Sequence, residues 1–413
     1  MANETLKAAS KAKNDEFYTQ YSDIEAEMNA YVEYNPDVFR GKTILLPCDD
    51  PEWSNFTKYF AANFERFGLK KLISTSYAKS AGNRQPTLFE MESPLYDEDK
   101  HETHGKLFVL TNDKDGSGYI DTDDIEFSGY LDGNGDFRSD EVKALRDEAD
   151  IIVTNPPFSL FREFLAWVLD AEKQFVILGN MNAITYKEVF PYLKNNEIWL
   201  GYKSLNQDMY FDVPDERKEW LLANKTEGSA YKIIDGVVMG RLASACWFTN
   251  IDHGKRHETL FLDTMAHNLK FNKRLRKKFE ESYGVIEYPF YDNYNAIEIP
   301  FTECIPSDYD GVMGVPITFL DKYNPNQFEI LGLAPERLSS DQSSLQVKRY
   351  LNAVQHKKDG STCSGNMVND GPVILHDFIP PKFPYYTCEN VPNKYLEVLY
   401  ARILIRFKKG DNN

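Results

Sequence analysis

The sequence predicts an α/β fold built on a sheet with parallel strands, and three consecutive segments predict it. The apolar run Ile151-Ile152-Val153-Thr154 reads as a buried strand. Phe161, Phe164, Leu165, Val168 and Leu169 recur at i, i+3, i+4, i+7 and i+8, the stripe of an amphipathic helix, and Phe175-Val176-Ile177-Leu178 is a second apolar strand. Strand, helix, strand is a βαβ unit, whose right-handed crossover lays the two strands parallel and adjacent. Between the first strand and the helix stands Asn155-Pro156-Pro157-Phe158. In open α/β sheets ligands bind outside the carboxyl ends of the strands, so this turn projects polar atoms into the expected site. One explanation is plain punctuation, since Asn-Pro and Pro-Pro commonly end strands. The other is chemical and suits a planar amino group. Asn155 carries a side-chain carbonyl, the two prolines lack N–H and hold their carbonyls outward as acceptors, and Phe158 supplies an aromatic face. Two acceptors converging on an NH2 beside a stacking ring make a pocket for an extruded base whose exocyclic nitrogen is modified.

The remaining elements follow in chain order. Asp23 to Tyr34 has helical periodicity and leads into a first strand, Thr43-Ile44-Leu45-Leu46, followed by Pro47-Cys48-Asp49-Asp50-Pro51. Asp49 and Asp50 place carboxylates at a strand tip, where amino or hydroxyl groups of a ligand need acceptors. Equally, Asp50 followed by Pro51 is a helix N-cap and first helical position. A second strand, Lys71 to Tyr77, ends without an acid and offers only Ser76 and Tyr77 in its place.

Asp113, Asp115, Ser117, Tyr119, Asp121 and Asp124, with Gly118 sixth and Ile120 eighth, match the spacing of a twelve-residue calcium loop. Such a loop needs flanking helices, whereas Leu107-Phe108-Val109-Leu110 and Ile125-Glu126-Phe127 read as strands, so a hairpin tip is expected and no metal ligand is assigned.

Composition bounds the class. At 413 residues, 42% hydrophobic and 14% aromatic, the chain exceeds one average domain and can bury a large core. Cys48, Cys246, Cys304, Cys363 and Cys388 have no paired metal spacing and read as reduced thiols. No apolar run approaches a membrane span, and a cytoplasmic protein is expected. The net charge of −17 opposes contact with phosphates, yet Lys270, Lys273, Arg274, Arg276, Lys277 and Lys278 cluster, preceded by Lys255, Arg256 and His257. Such a run is either a phosphate-binding surface or a solvated helix face. Arg402, Arg406, Lys408 and Lys409 offer a second basic stretch. Two domains are expected, residues 1–250 and 251–413. The second is irregular α+β, with short strands at Ala296–Pro300, Gln327–Leu331 and Ala401–Arg406 and a long polar loop from His356 to Gly371.

Matching segments in matching order resemble one family. Asn14-Asp15-Glu16-Phe17-Tyr18-Thr19-Gln20, Thr43 to Pro51, Gly135-Asp136-Phe137-Arg138-Ser139, the Asn-Pro-Pro-Phe turn, Ala245-Cys246-Trp247-Phe248-Thr249-Asn250 and Gly311 to Leu320 are together similar to the EcoRI-type adenine-specific DNA methyltransferases, the modification methylases. The resemblance implies a Rossmann-like, S-adenosylmethionine-dependent sheet in residues 1–250 and a target-recognition region in 251–413. It implies that Phe17, Tyr18, Thr19, Cys48, Asp49, Asp50, Asp136, Phe137 and Asn155 bind S-adenosylmethionine, with Asp136 accepting from the cofactor's adenine. Asn155, Pro156, Pro157 and Phe158 would be catalytic, and Phe158 and Trp247 would stack on the target base, although Trp247 is equally readable as core. Lys270, Lys273, Arg274 and Lys277 would meet the phosphates of double-stranded DNA. A cognate restriction endonuclease acting on the same site is a compatible partner without forming a complex. Methylation of RNA or of a protein glutamine amide uses the same planar-amino chemistry, and a noncatalytic calcium-binding module is the alternative from another class.

Overall fold

The chain, described from a computed structural model, is placed over residues 18–49, 54–78, 93–205, 207–335, 345–377 and 380–408. Phe17, Asp50 and Lys409 lie outside the described residues. It divides into two compact units, residues 1–181 with 199–254, and residues 182–198 with 255–413. The second unit thus takes a segment from mid-chain that a single cut at residue 250 leaves out.

The first unit contains β1 Tyr18–Thr19, β2 Thr43–Leu46, β3 Lys71–Thr75, β4 Lys106–Leu110, β5 Glu126–Tyr130, β6 Ile151–Thr154, β7 Gln174–Asn180, β8 Trp199–Leu200, β9 Met209–Asp212, β10 Tyr231–Ile234, β11 Val237–Leu242 and β12 Ala245–Thr249. Eight of them form one mixed sheet in the order β5-β4-β3-β2-β6-β7-β12-β8. The central pairs β3–β2, β2–β6 and β6–β7 are parallel. The outer pairs are antiparallel. β2 and β6 bury every residue and are apolar apart from one threonine each, as strands covered on both faces must be. β4, nearer the edge, alternates buried and half-buried residues. The expected βαβ unit is present: β6, the helix Phe161–Leu169, then β7 in parallel register, Ile151 opposite Gln174. From β2 the chain first adds β3 on one side and later β6 on the other, so the order reverses between β2 and β6. The crevice at such a reversal is the favoured place for a ligand.

A second, antiparallel sheet, β1-β9-β11-β10, secures the amino-terminal segment through β1, with Tyr18 opposite Asp212. The helix Tyr21–Tyr34 that follows buries Ile24, Met28 and Tyr31 and, among them, Glu27. Glu27 is fully buried and accepts from the Tyr31 hydroxyl (2.6 Å) and the backbone N–H groups of Tyr202 (2.7 Å) and Lys203 (2.9 Å). Gly201 is required beside it, since a Cβ there would come within 2.1 Å of Glu27 Oε1 and 2.5 Å of Trp247 Cβ. Burial and the Glu27 charge together push the Tyr31 hydroxyl pKa well up, so it stays a donor.

In the second unit, Ile297–Glu298, Met313–Pro316, Arg402–Phe407 and Phe328–Ala334 form a four-stranded sheet in that order. Glu298, fully buried on it, receives Arg402 in a two-pronged pair (2.7 and 3.0 Å) and the Tyr291 hydroxyl. Arg402 is therefore an internal counter-ion, which corrects its placement in a basic surface. The stretch from His356 to Gly371 is not a long loop: Val354–His356 and Thr362–Ser364 pair as a hairpin. Asp359 accepts from the Ser361 N–H (2.9 Å) and Gly360 takes a positive φ of 81°, so polar turn residues close strands instead of leaving them open.

Glu27→Leu should lower unfolding stability by on the order of 3 kcal/mol, because two backbone N–H groups and a hydroxyl lose their buried acceptor. Denaturant unfolding of the two proteins measures it, and an unchanged midpoint would show that water replaces the carboxylate at no cost.

Candidate active site

The candidate site is the place where β2 and β6 end side by side. The backbone after β2 turns through Pro47 and half-buried Cys48 to Asp49, which is 7% exposed. One Asp49 oxygen accepts from the Thr154 hydroxyl at the tip of β6 (2.6 Å), the other from the Ser54 hydroxyl (2.8 Å). Ser54 in turn caps the helix Asn55–Ala62 by accepting from the Phe56 N–H (3.1 Å). The Asp49 N–H donates to the Thr75 carbonyl (3.0 Å), and the Ser74 hydroxyl donates to the Asp49 carbonyl. Asp49 is thus a junction joining three strand tips and a helix. Its backbone and carboxylate hold the crevice in shape, a role that strand-tip position alone does not reveal. Burial and the adjacent Asp49 charge push the Cys48 thiol far up, so it stays neutral and is no nucleophile.

Thr154 is followed directly by Asn155, half-buried, whose Nδ2 donates to Thr19 Oγ1 (3.3 Å). Thr19 belongs to β1, is 4% exposed, and its carbonyl also accepts from Asn55 Nδ2 (2.8 Å). The amino-terminal segment, the β2 loop and the Asn-Pro-Pro-Phe turn therefore meet at Thr19, Asp49 and Asn155. The two prolines differ. Pro157's carbonyl accepts from the Leu160 N–H (2.9 Å) and closes the 3-10 turn Phe158–Leu160 that starts the helix. Only Pro156 keeps a carbonyl without a hydrogen bond among the described residues, which corrects the expectation that both point outward as acceptors. Phe158 is half-buried and packs against the main core from its rim.

The loop carrying Asp136 docks on the end of β3. Gly135 adopts φ 81°, and a Cβ there would sit 2.1 Å from the Ser76 carbonyl, so only glycine permits the approach. The Ala78 N–H donates to the Asn134 carbonyl (2.9 Å). Ser76 accepts from the Lys106 N–H (3.1 Å) and so serves strand pairing. Asp136 is half-buried and holds Arg138 through Nε (2.9 Å) and Nη2 (2.6 Å), and Arg138 reaches on to Glu163 (3.0 Å). Arg138 and Glu163, missed in the sequence because their pairing spans the loop and a helix, fix the loop's direction. Phe137 is 5% exposed, its ring against Phe164 (5.1 Å) and Trp167 (5.6 Å), so it anchors the loop from beneath.

Trp247 stands away from any surface. It is 1% exposed, within the main core and edge-on to Phe56 at 5.9 Å, so the structure supports its reading as a core residue over a base-stacking one. In the second unit, Lys270, Lys273 and Lys277 are exposed on the helices Met265–Phe271 and Lys273–Tyr283. Arg274 is engaged, bonded to Glu303 (2.9 Å) and lying 3.7 Å over the Phe301 ring. Lys255 pairs inward with Asp321 (2.6 Å) and Arg256 with Asn196 (2.5 Å), which removes both from the basic surface.

The acidic turn connects β4 and β5, which pair antiparallel, so its flanks are strands. Asp113, Asp115 and Asp124 bring carboxylate oxygens within 4.8 Å of one another, a grouping that could hold a cation. The turn also closes by itself. Asp124 is buried and accepts from the N–H groups of Lys114 (2.7 Å), Asp115 (3.2 Å) and Asp121 (2.9 Å), and Asp113 accepts from Gly116 (2.7 Å) and Gly118 (2.8 Å). The bonds from Lys114 and Asp121 lower the Asp124 pKa, keeping it a charged acceptor. Chelating divalent ions should therefore leave folding and activity within about twofold of untreated protein. Circular dichroism and turnover with and without a calcium chelator check this, and loss restored by added calcium would make the ion structural.

The chain is similar to known proteins. The family model described as "Adenine-specific methyltransferase EcoRI" matches residues 5–371. The chain is 41% identical over 329 residues to the Type II methyltransferase M.EcoRI of Escherichia coli, covering 80% of this chain and 89% of that one. It is 36% identical over 323 residues to the Type II methyltransferase M.MgeORF184P of Mycoplasma genitalium, covering 78% and 84%. To M.MpnI of Mycoplasma pneumoniae it is 33% identical over 327 residues, covering 78% and 83%. No solved structure matches the chain. No helix among the described residues is long and apolar enough to cross a membrane.

Proposed function

Because the chain belongs to the EcoRI adenine-specific methyltransferase family, and is on that ground a DNA adenine methyltransferase, we propose that it transfers the methyl group of S-adenosylmethionine to the exocyclic amino nitrogen of an adenine turned out of double-stranded DNA. The observation that carries this is the juxtaposition of Asn155 and Pro156 with the Asp49 junction at the order reversal of the sheet. The crevice suits the methyl donor: Asp136 offers a half-buried carboxylate for an amino group, and Gly135 lets the backbone lie close to β3. Tyr18, Thr19, Cys48 and Asp49 would form the remaining wall, with Phe137 supporting the Asp136 loop. When bound, S-adenosylmethionine supplies an electrophilic methyl carbon on a sulfonium.

Asn155 and Pro156 act on the nucleophile. The adenine amino lone pair is delocalised into the ring and reacts poorly. Accepting its two hydrogens, through the Asn155 side-chain carbonyl and the Pro156 backbone carbonyl, favours a pyramidal nitrogen whose lone pair can be aimed. Since Thr19 engages Nδ2 of Asn155, the carbonyl end of that amide is directed away from β1. Pro156 cannot donate, and the following Pro157 restricts its ψ to extended values, so its carbonyl acceptor is preorganised. Phe158 would hold the base by stacking. Target recognition falls to the region beyond residue 250, with Lys270 and Lys273 on phosphates and Lys277 and Arg274 contributing less because Glu281 and Glu303 share their charge.

Asn155→Ala should leave cofactor binding within about twofold while lowering turnover by on the order of 100-fold or more, since the lost acceptor acts mainly in the transition state. Labelled methyl transfer to DNA, RNA and protein, beside calorimetric cofactor titration, reads both quantities. Wild-type turnover in the variant, or transfer to RNA or protein in preference to DNA, would sink the proposal.

Replacing Lys273 and Lys277 with Gln should weaken binding to all duplex sequences alike and reduce the slope of log affinity against log salt by up to about 2. An unchanged slope in a salt series would make these lysines a solvated face.

A further inference from the structure

Strands Phe328–Ala334 and Arg402–Phe407 are antiparallel neighbours, with Ala334 opposite Arg402, so the chain between them leaves and re-enters the sheet at one place. That excursion builds a five-stranded sheet of its own, in the order Thr362–Ser364, Val354–His356, Tyr385–Cys388, Val391–Val398, Val373–His376. It has a separate core that includes Val368, Val373, Tyr386 and Leu396. The family match ends at residue 371, inside this sheet.

Side chains alternate along a strand, so with Tyr386 and Leu396 directed into that core, Tyr385 and Tyr395 lie on the other face. His356, the register partner of Tyr385, joins them. The His356 and Tyr385 rings are parallel, 11° apart in plane and 4.7 Å between centroids. Phe383, 49% exposed, lies 5.2 Å from Tyr385, and Tyr395 stands edge-on to it at 5.4 Å. The exposed lysines Lys357 and Lys358 follow His356 in the chain, and exposed Lys382 precedes Phe383.

Flat rings with exposed lysines next to them in the chain suit base faces and phosphates. A protein partner is better served by a contiguous aliphatic patch, whereas the side chains gathered here are aromatic rings, with Val354 as the exposed aliphatic two residues before His356. Paired bases in a duplex hide their faces, so the matching occupant is an unpaired strand. We propose that this face binds single-stranded DNA by stacking bases on Phe383, Tyr385 and His356, a reading independent of how the methyl-transfer site is read.

The test uses the full-length protein and a fluorescently labelled twelve-residue oligothymidylate, followed by anisotropy, with a proline-rich peptide of equal length as the alternative ligand. Wild type should bind the oligonucleotide, and Phe383→Ala and Tyr385→Ala should each weaken binding at least about fivefold. Lys358→Gln with Lys382→Gln should weaken it and flatten its salt dependence. Phe383 is exposed, so Phe383→Ala should keep the wild-type melting temperature and the wild-type rate of methyl transfer to duplex. Absence of binding by wild type, equal binding by the aromatic variants, or preference for the peptide would overturn the proposal while leaving duplex methylation as the separate measure of the catalytic site.

Discussion

The hydrogen bond from Thr154 to the buried Asp49 carboxylate is the interaction on which the crevice depends. It joins the tips of β2 and β6 at the place where the strand order reverses, one residue before Asn155. A bond to a charged acceptor is worth about 1.5–3 kcal/mol, more than a neutral one, and Asp49 keeps Ser54 on its other oxygen. The cost of burying the carboxylate is offset only while these hydroxyls, and the β3 tip behind them, stay in register. Asn155 consequently follows a rigid neighbour instead of a free loop, as the preorganisation proposed for it requires.

Around that junction, the positioning is done by groups that touch no expected ligand atom. Glu27 holds the 201–203 backbone, Arg138 holds Asp136, and Gly135 and Gly201 leave room where any side chain would collide. Each is a long-range contact that makes a local conformation obligatory. The same principle sorts the cations. Lys255, Arg256 and Arg402 are internal partners of Asp321, Asn196 and Glu298, so a stretch of basic letters contributes to the surface only where no such partner is folded against it. An acidic chain of net charge −17 can still offer a local positive surface, because screening confines the influence of distant charges to about 10 Å.

What the sequence determined by itself is what depends on neighbours along the chain. Apolar runs marked β2, β6 and β7, the 3.6-residue stripe marked the helix Phe161–Leu169, and Asn-Pro-Pro-Phe marked the end of β6. The hairpin around the acidic turn was legible from its strand flanks. What only the tertiary structure decided is which polar and aromatic side chains face inward. Trp247 on a buried strand, Phe137 beneath its loop, Pro157 closing the next turn and Glu27 inside a helix carry the same letters whether exposed or enclosed. Periodicity reports the faces of one element, whereas burial and hydrogen-bond partners are set by elements tens or hundreds of residues away, and those contacts do not exist until the sheet has closed around them.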